Sequence, residues 1–402
     1  MIKHLQKPVV ILLFLLSIGS VNSQTTFTTD GFLYTIIENT TNVSVSKGEN
    51  CPEGTVTIPA TVTHSGTEYT VTSIGAEAFK LCTDLTAVSI PDTVTSIGVG
   101  AFILCALESI SIPDSVVSVG NGAFGSCNFL TSVTIGNAVT AIGRNTFMEC
   151  RNLSSVTIGN AVTSIGVSAF YGCYKLTAIS IPDAVESIGM SAFAFCTVLN
   201  SVTIGTGVTS IGESAFAFCT ELNSITIGTG VTSIGESAFV FCTELNSVTI
   251  GAAVTSIGDH SFQDCSSLTE VTVNWAVPLP INSTVFQNVT LGGVALNVPE
   301  GTVSTYGAEA VWANFSPIQD GTLSTNENNQ KDIFSVYPNP ASDFISVAGL
   351  KQTTAYEVYN ILGAKVLKGS LSATGKIEVQ PLTKGVYFLK LDGGTPLKFI
   401  KK

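Results

Sequence analysis

The 402-residue sequence is poor in charged residues, which make up 11% of it, and it has only three histidines. Outside the N-terminal segment only His64 and His260 remain, and neither stands in an order with a nucleophile and an acid that would indicate a catalytic triad. No cysteine or histidine spacing is that of a zinc site, and no loop has the alternating aspartates of a calcium site. The sequence therefore predicts a protein that is not an enzyme and holds no cofactor or metal.

Long hydrophobic runs are also missing, with one exception close to the N-terminus. The apolar run of residues 9–16 follows two lysines and precedes small residues at the expected cleavage position, which is the pattern of a secretory signal peptide. The run is too short to cross a bilayer. We therefore predict a signal peptide over residues 1–23 and no transmembrane segment in the mature chain.

Basic side chains are scarce in most of the chain. Residues 24–331 carry six basic and 24 acidic residues, whereas residues 332–402 carry nine lysines and five acidic residues. An acidic surface repels the phosphate backbone of nucleic acids, and no basic stripe interrupts it. Nucleic acid is therefore not expected as a partner.

What the sequence has in abundance is one repeated unit. Ile-Gly, once replaced by Val-Gly, is followed by Phe, Cys and Leu with a period of 23 residues, and a one-residue deletion between Cys105 and Leu107 is the only irregular step. A period in the 20–29 range with one short strand per turn is that of a leucine-rich-repeat solenoid. The repeat glycines are Gly75, Gly98, Gly120, Gly143, Gly166, Gly189, Gly212, Gly235 and Gly258.

Each coil combines two patterns. After Gly75, the residues Ala78, Phe79 and Cys82 have helical spacing, which predicts a short helical or 3₁₀ segment. From Leu85 to Ile90 large apolar residues alternate with smaller ones, as in a strand with one buried face.

The predicted fold is mostly β, with short helical or 3₁₀ segments. It consists of a solenoid of nine 22–23-residue coils over residues 72–273 and a small C-terminal β-sandwich. One coil alone cannot bury enough apolar surface to fold, so the stack needs caps at both ends. We assign these to residues 24–71, which include a hairpin, and to residues 274–320.

The ten cysteines of an exported chain would ordinarily indicate disulfides. Parallel stacking of equivalent positions, however, holds the sulfur atoms poorly for the dihedral angle that a disulfide requires. We therefore predict a ladder of buried thiols, in which cysteine acts as a small hydrophobic residue. Its nine members are Cys82, Cys105, Cys127, Cys150, Cys173, Cys196, Cys219, Cys242 and Cys265.

The pattern Thr-Ser-Ile-Gly-x-x-Ala-Phe-x-x-Cys-x-x-Leu-x-x-Val-x-Ile-Pro, over residues 72–91, resembles the BspA-like family of bacterial leucine-rich-repeat proteins. Residues 32–37 resemble the opening hairpin of that family, and residues 306–318 resemble its closing segment. Members are typically surface or secreted proteins associated with adhesion. The resemblance therefore implies binding of an extracellular protein or cell surface and not catalysis.

The last 70 residues differ in character and follow a polar linker at residues 321–331. Alternating segments between Gly and Pro turns predict a small β-sandwich over residues 332–402. The segment resembles the type A sorting domain of the type IX secretion system of Bacteroidetes, which implies the secretion machinery as a partner and a secreted or outer-surface location. The residues that carry this resemblance include Tyr337, Pro338, Asn339, Pro340, Gly385, Tyr387, Lys398, Lys401 and Lys402.

Two sets of residues are candidates for partner binding. Directly before the repeat cysteine, three successive coils carry Phe195, Phe218 and Phe241, which either pack on one another or form an exposed apolar strip that docks a partner. The outward strand face carries hydroxyl pairs that are either ordinary for an exposed strand or a binding surface. These pairs are Ser201 and Thr203, Ser224 and Thr226, and Ser247 and Thr249.

The sequence thus predicts an exported, adhesin-like binding protein that is delivered by its C-terminal domain. Two alternatives stay open: a structural solenoid of the envelope without a discrete ligand, and a module that binds glycans through its hydroxyl face. Self-association would favour the first, and retention on polysaccharide would favour the second.

Overall fold

The 23-residue period becomes a stack of coils in the computed structural model, which describes residues 25–321, 335–337, 341–348, 353–360, 364–372, 375–391 and 397–402. The predicted fold class is confirmed, since the chain is a mostly β solenoid of about 11 turns, counting the caps, with a strand-rich C-terminal region. The chain divides into two compact units, and the boundary lies between Asp320 and Gly321. The predicted signal peptide and nearly all of the predicted linker lie outside the described residues.

Two rows of short parallel strands run along the solenoid. Equivalent residues pair from coil to coil; Ser224, for example, pairs with Ser247 and Ser247 with Glu270. The long-strand row consists of Gly54–Thr57, Leu85–Ser89, Ser109–Ser111, Ser132–Thr134, Ser155–Thr157, Ala178–Ser180, Ser201–Thr203, Ser224–Ile227, Ser247–Ile250, Glu270–Val273, Ala295–Val298 and Ile318–Asp320. The short-strand row consists of Ser96–Ile97, Ser118–Val119, Ala141–Ile142, Ser164–Ile165, Ser187–Ile188, Ser210–Ile211, Ser233–Ile234 and Ser256–Ile257.

Both ends of the solenoid are covered. At the N-terminal end, Thr67–Ile74 leads into the short-strand row and pairs with Asn42–Ser46 and Thr61–His64. The sheet continues from Asn42–Ser46 to Phe32–Ile36 and then to Thr26–Thr29. At the C-terminal end, Trp275 and Trp312 are buried, and their indole N–H groups donate to Val254 O and Leu279 O, both at 2.8 Å. The short helices of this cap are the 3₁₀ helices Ser283–Phe286, Leu291–Gly293 and Trp312–Asn314 and the α-helix Val303–Tyr306.

The segment between the repeat glycine and the repeat cysteine is not helical, and the prediction of a helical or 3₁₀ turn there is wrong. Only every second backbone N–H bonds within the coil, as when Ala78 N donates to Gly75 O at 3.3 Å. The others donate to the next coil, as when Phe79 N donates to Ala101 O at 2.7 Å. This alternation requires left-handed backbone at two positions of each coil, for example φ 56° at Glu77 and 67° at Leu81. A helix would keep these N–H groups inside one coil, whereas here they join neighbouring coils.

The repeat phenylalanines form a buried ladder through the core. Phe79, Phe102, Phe124, Phe147, Phe170, Phe193, Phe216, Phe239, Phe262 and Phe286 stack with ring centroids 4.9–5.5 Å apart. Near-parallel rings at this spacing bury both faces of each ring inside the ladder. The repeat Phe is therefore the main apolar anchor of each coil.

The cysteine ladder differs from the prediction at its first rung. Eight cysteines are free and buried, and from Cys105 onward each thiol lies within hydrogen-bond distance of the carbonyl of the preceding coil's Phe, 2.9 Å for Cys105 Sγ to Phe79 O. Cys82 lies in the first coil, so no earlier repeat offers it such a carbonyl. It instead forms a disulfide with Cys51 of the N-terminal cap, with the Cα atoms 5.2 Å apart, and the prediction of a free thiol at Cys82 is wrong.

The C-terminal unit contains a sheet of three strands and a sheet of four. The first has the order Ser335–Tyr337, Phe344–Ala348, Ile377–Glu378, and the second has the order Lys365–Leu371, Thr354–Asn360, Gly385–Leu391, Leu397–Lys401. Ile345, Val358, Leu389 and Phe399 are buried in one shared core.

Candidate functional site

The phenylalanine strip consists of Phe195, Phe218 and Phe241, which occupy the second left-handed position of three successive coils. Their φ angles are 62°, 60° and 57°. Their backbone N–H groups donate to the next coil, to Ala217 O at 2.8 Å, Val240 O at 2.9 Å and Gln263 O at 3.0 Å. This hydrogen bonding holds the three Cα atoms in one column, so that the side chains lie one above another on the turn side of the solenoid.

The three rings stack, as one of the two interpretations of the sequence requires. Ring centroids are 4.5 Å apart between Phe195 and Phe218, with planes 8° apart, and 4.9 Å apart between Phe218 and Phe241, with planes 12° apart. Tyr171 lies against Phe195 at 5.3 Å in a tilted arrangement. Phe195 and Phe218 are half-buried and Phe241 is 37% exposed. Stacking and exposure therefore occur together, because each ring covers its neighbour's face and leaves its edge to solvent.

The stacking contributes little net stability at this position. A left-handed backbone costs roughly 1–2 kcal/mol for a residue with a Cβ atom, whereas a stacked aromatic pair contributes about 0.5–1.5 kcal/mol beyond its buried area. In the same column, coil five carries Gly172, with φ 70°, and glycine adopts this conformation without that cost. The fold alone therefore does not require aromatic residues in this column.

The surroundings of the strip are acidic. Between Lys175 and Lys331 the chain has thirteen acidic residues and no lysine or arginine. Glu213 and Glu221 stand on either side of Phe218 in its coil, and Glu236 and Glu244 repeat that arrangement around Phe241. All four carboxylates are fully or partly exposed. The strip therefore combines apolar ring edges with uncompensated negative charge.

Polar and aromatic residues lie in coils four and five, before the strip begins at Phe195. Arg151 Nε donates to Glu149 Oε2 at 2.9 Å, and its guanidinium lies 5.9 Å from the centre of the Tyr174 ring. Burial, together with the nearby Tyr174 and Glu149, raises the pKa of Tyr171. Sequence reasoning missed Tyr171, although it lies one position before the column of the strip and one coil earlier.

The hydroxyl face is exposed or partly exposed along the long-strand row, and its members pair in register across coils seven and eight. This surface ends in an amide cluster, in which Asn297 Nδ2 donates to Glu270 Oε1 and to Thr272 Oγ1, and Gln319 Nε2 donates to Asn297 Oδ1 at 2.9 Å. The structure keeps the hydroxyl face apart from the strip, since the two lie in different segments of each coil.

The titratable groups of the repeats include a hydrogen-bonded aspartate, a histidine and the buried thiols. Asp259 accepts hydrogen bonds from Asn282 Nδ2 at 2.6 Å and Thr284 Oγ1 at 2.8 Å, which lower the pKa of its carboxyl group. The neighbouring His260 Nδ1 has no hydrogen-bond partner among the described residues. Burial raises the pKa of the free thiols, to about 12 for Cys150 and Cys196, so these thiols stay protonated and are poor nucleophiles.

The residues expected to carry the sorting signal fall into two groups. Pro338, Asn339 and Pro340 lie outside the described residues, and Tyr337 ends the first strand of its unit. Gly385 begins the strand Gly385–Leu391, where Tyr387 is buried and its hydroxyl donates to Thr383 O at 2.9 Å. Lys398 and Lys401 lie on the last strand, and Lys402 N donates to Ala341 O at 2.9 Å. Among the described residues, no helix is both long and apolar enough to cross a membrane.

Comparison with protein families gives two matches. The BspA type leucine rich repeat region matches in six copies, over residues 60–177 and 163–292. The secretion system C-terminal sorting domain matches residues 335–402. No curated protein matches the chain.

Several solved structures resemble the chain. A leucine rich cell surface protein from Faecalibacterium prausnitzii A2-165 is 25% identical, with 63% of this chain and 95% of the other covered and a TM-score of 0.31. The pneumococcal vaccine antigen PcpA is 14% identical, with 74% of this chain and 98% of the other covered and a TM-score of 0.34. The leucine rich repeat protein TpLRR from T. pallidum is 20% identical, with 59% of this chain and 87% of the other covered and a TM-score of 0.36.

Proposed function

The chain belongs to the BspA-type leucine-rich-repeat family and ends in a secretion sorting domain, and we propose that it is a non-enzymatic, adhesin-like protein whose phenylalanine strip binds an extracellular protein. Its sorting domain directs it through type IX secretion to the cell surface or the medium. A molecule delivered there meets extracellular proteins and the surfaces of other cells, so a binding role fits its location.

The observation that carries the proposal is the presence of three partly exposed phenylalanines at left-handed positions. Stability does not require them, because Gly172 fills the same column in coil five without backbone strain. Aromatic side chains, phenylalanine among them, are enriched in protein interfaces relative to the rest of the surface. The acidic residues around the rings favour a partner that brings apolar and basic side chains together.

The ring geometry favours a protein over a glycan as the partner of the strip. A sugar stacks on the face of an aromatic ring, but the faces of Phe195 and Phe218 are covered by Phe218, Phe241 and Tyr171. Only one face of Phe241 has no ring neighbour among the described residues, so the strip does not offer a row of ring faces to a glycan chain. The exposed ring edges carry partial positive charge and suit edge-to-face contact with aromatic side chains or packing against aliphatic ones.

The test replaces all three rings by glycine in the full mature chain. Each change removes a ring but also relieves the left-handed strain, so the two effects on stability oppose each other. The variant should melt close to the parent, which circular dichroism would check. Binding of both proteins to immobilised extracellular-matrix proteins and to intact bacterial cells is then measured by surface plasmon resonance and flow cytometry.

A matched control keeps the rings and changes Thr203, Thr226 and Thr249 of the hydroxyl face to valine. The proposal predicts that the glycine variant loses at least tenfold in affinity while the valine variant binds like the parent. The opposite pattern, with retention on polysaccharide, would support the glycan-binding alternative. Concentration-dependent self-association without a partner for either protein would support a structural solenoid.

A further inference from the structure

The strip ends at Phe241, and one face of this ring has no aromatic neighbour among the described residues. On one side Phe241 stacks on Phe218 at 4.9 Å. The same column in coil nine holds Asp264, with φ 57°, whose side chain is too short to cover a ring. No aromatic ring contacts this second face of Phe241 among the described residues, and Phe241 is accordingly the most exposed of the three rings.

The carboxylate of Asp264 is held in place by neutral groups. Its Oδ1 accepts from Asn288 Nδ2 at 2.9 Å, and its Oδ2 accepts from Gln263 Nε2 at 2.8 Å. Neither donor carries charge, and no lysine or arginine pairs with Asp264 among the described residues. Each carboxylate oxygen can accept a further hydrogen bond, so Asp264 is a positioned anion without a cation.

From this juxtaposition we propose that Phe241 and Asp264 form a subsite for an arginine side chain of the protein that binds the strip. A guanidinium group at the next level of the stack would lie over the open face of Phe241, in a cation–π contact. Its N–H groups would donate to the Asp264 carboxylate in the planar geometry that arginine provides and lysine does not. The inference rests on the proposed function and adds the chemistry of one contact residue of the partner.

Coil seven supplies an internal comparison. Residues 201–223, which include Phe218, differ from residues 224–246, which include Phe241, at only two positions. Both faces of the Phe218 ring are nevertheless covered, by Phe195 and Phe241. The residue that follows Phe218 in the column is Phe241 and not an acid. The subsite therefore exists once, at the end of the strip. A change at Phe218 tests the strip and leaves both residues of the subsite, Phe241 and Asp264, in place.

The experiment measures fluorescence anisotropy of the full mature chain with three labelled peptides. Each peptide has leucines around one central residue, which is arginine, lysine or the uncharged isostere citrulline. We expect the arginine peptide to bind about tenfold more tightly than the citrulline peptide and more tightly than the lysine peptide. Asp264→Asn and Phe241→Leu should each abolish most of this preference, whereas Phe218→Leu should weaken the three peptides equally and preserve their ranking.

The two proposals fail in different ways. Equal binding of the three peptides to the parent, with loss of all binding in the triple glycine variant, would overturn the arginine subsite and leave the strip as a docking surface. No binding of the arginine peptide to the parent would overturn the subsite alone. Unchanged binding of matrix proteins and cells by the triple glycine variant would overturn the strip and the subsite together. An arginine preference that persists in Asp264→Asn would place the subsite elsewhere and overturn this assignment.

Discussion

Replacement of Phe170 by alanine should destabilise the solenoid strongly and locally. Phe170 is fully buried, with Phe147 stacked on one face at 5.3 Å and Phe193 on the other at 5.2 Å. Loss of a buried phenylalanine costs about 3–5 kcal/mol. We expect the upper part of that range, because two stacked contacts are lost at once and the neighbouring rings, each held by its own coil, cannot close the cavity.

The assay should resolve single coils, since repeat arrays need not unfold in one step. Hydrogen exchange followed by mass spectrometry meets this need, and 3–5 kcal/mol corresponds to exchange that is faster by roughly two to four orders of magnitude in the affected coils. The matched control is Phe129→Ala, because Phe129 is 62% exposed and should shift exchange little. Equal effects of the two variants would refute the placement of the repeat Phe in the core.

Further predictions concern the cysteines. Cys51→Ser should lower the free energy of unfolding of the N-terminal cap by about 3–4 kcal/mol. The reason is that the Cys51–Cys82 disulfide joins residues 31 apart in sequence and reduces the conformational entropy of the unfolded chain. Scanning calorimetry with and without reductant tests this, and identical curves would contradict it. The eight free thiols should not react with Ellman's reagent until the chain unfolds. Since burial raises the pKa of Cys150 from 9.0 to about 12, stability should fall as the pH rises above about 9, where only unfolded thiols ionise; a flat urea-denaturation profile from pH 8 to 11 would count against the buried ladder.

The regular part of the fold could be predicted because each element recurs. A period of 23 residues with Gly, Phe, Cys and Leu at fixed positions leaves one way to bury every apolar residue, and the structure places Phe170, Cys173 and Leu176 of coil five in the core. The prediction failed where the pattern stops. Cys51 belongs to no repeat, so the spacing of the ladder could not indicate its bond with Cys82.

The helical prediction failed for a different reason. Ala78, Phe79 and Cys82 have helical spacing, but sequence spacing does not show whether a backbone N–H bonds within its coil or to the next one. Glycines at positions 100, 122 and 172, all with positive φ, were the available signal for left-handed backbone in these columns. The same signal would have shown that Phe195 and its equivalents occupy strained positions, which composition alone does not reveal.

The most direct test of the binding function is a comparison of photocrosslinking from two positions of coil seven in the full mature chain. A photoreactive phenylalanine analogue replaces Phe218 of the strip in one protein and Thr226 of the hydroxyl face in the other, and both are irradiated on intact host and bacterial cells. We expect a protein crosslink from position 218 that is absent from position 226 and is suppressed by an excess of the parent chain but not of the triple glycine variant. Crosslinks from position 226 alone, or only between copies of the chain, would contradict it.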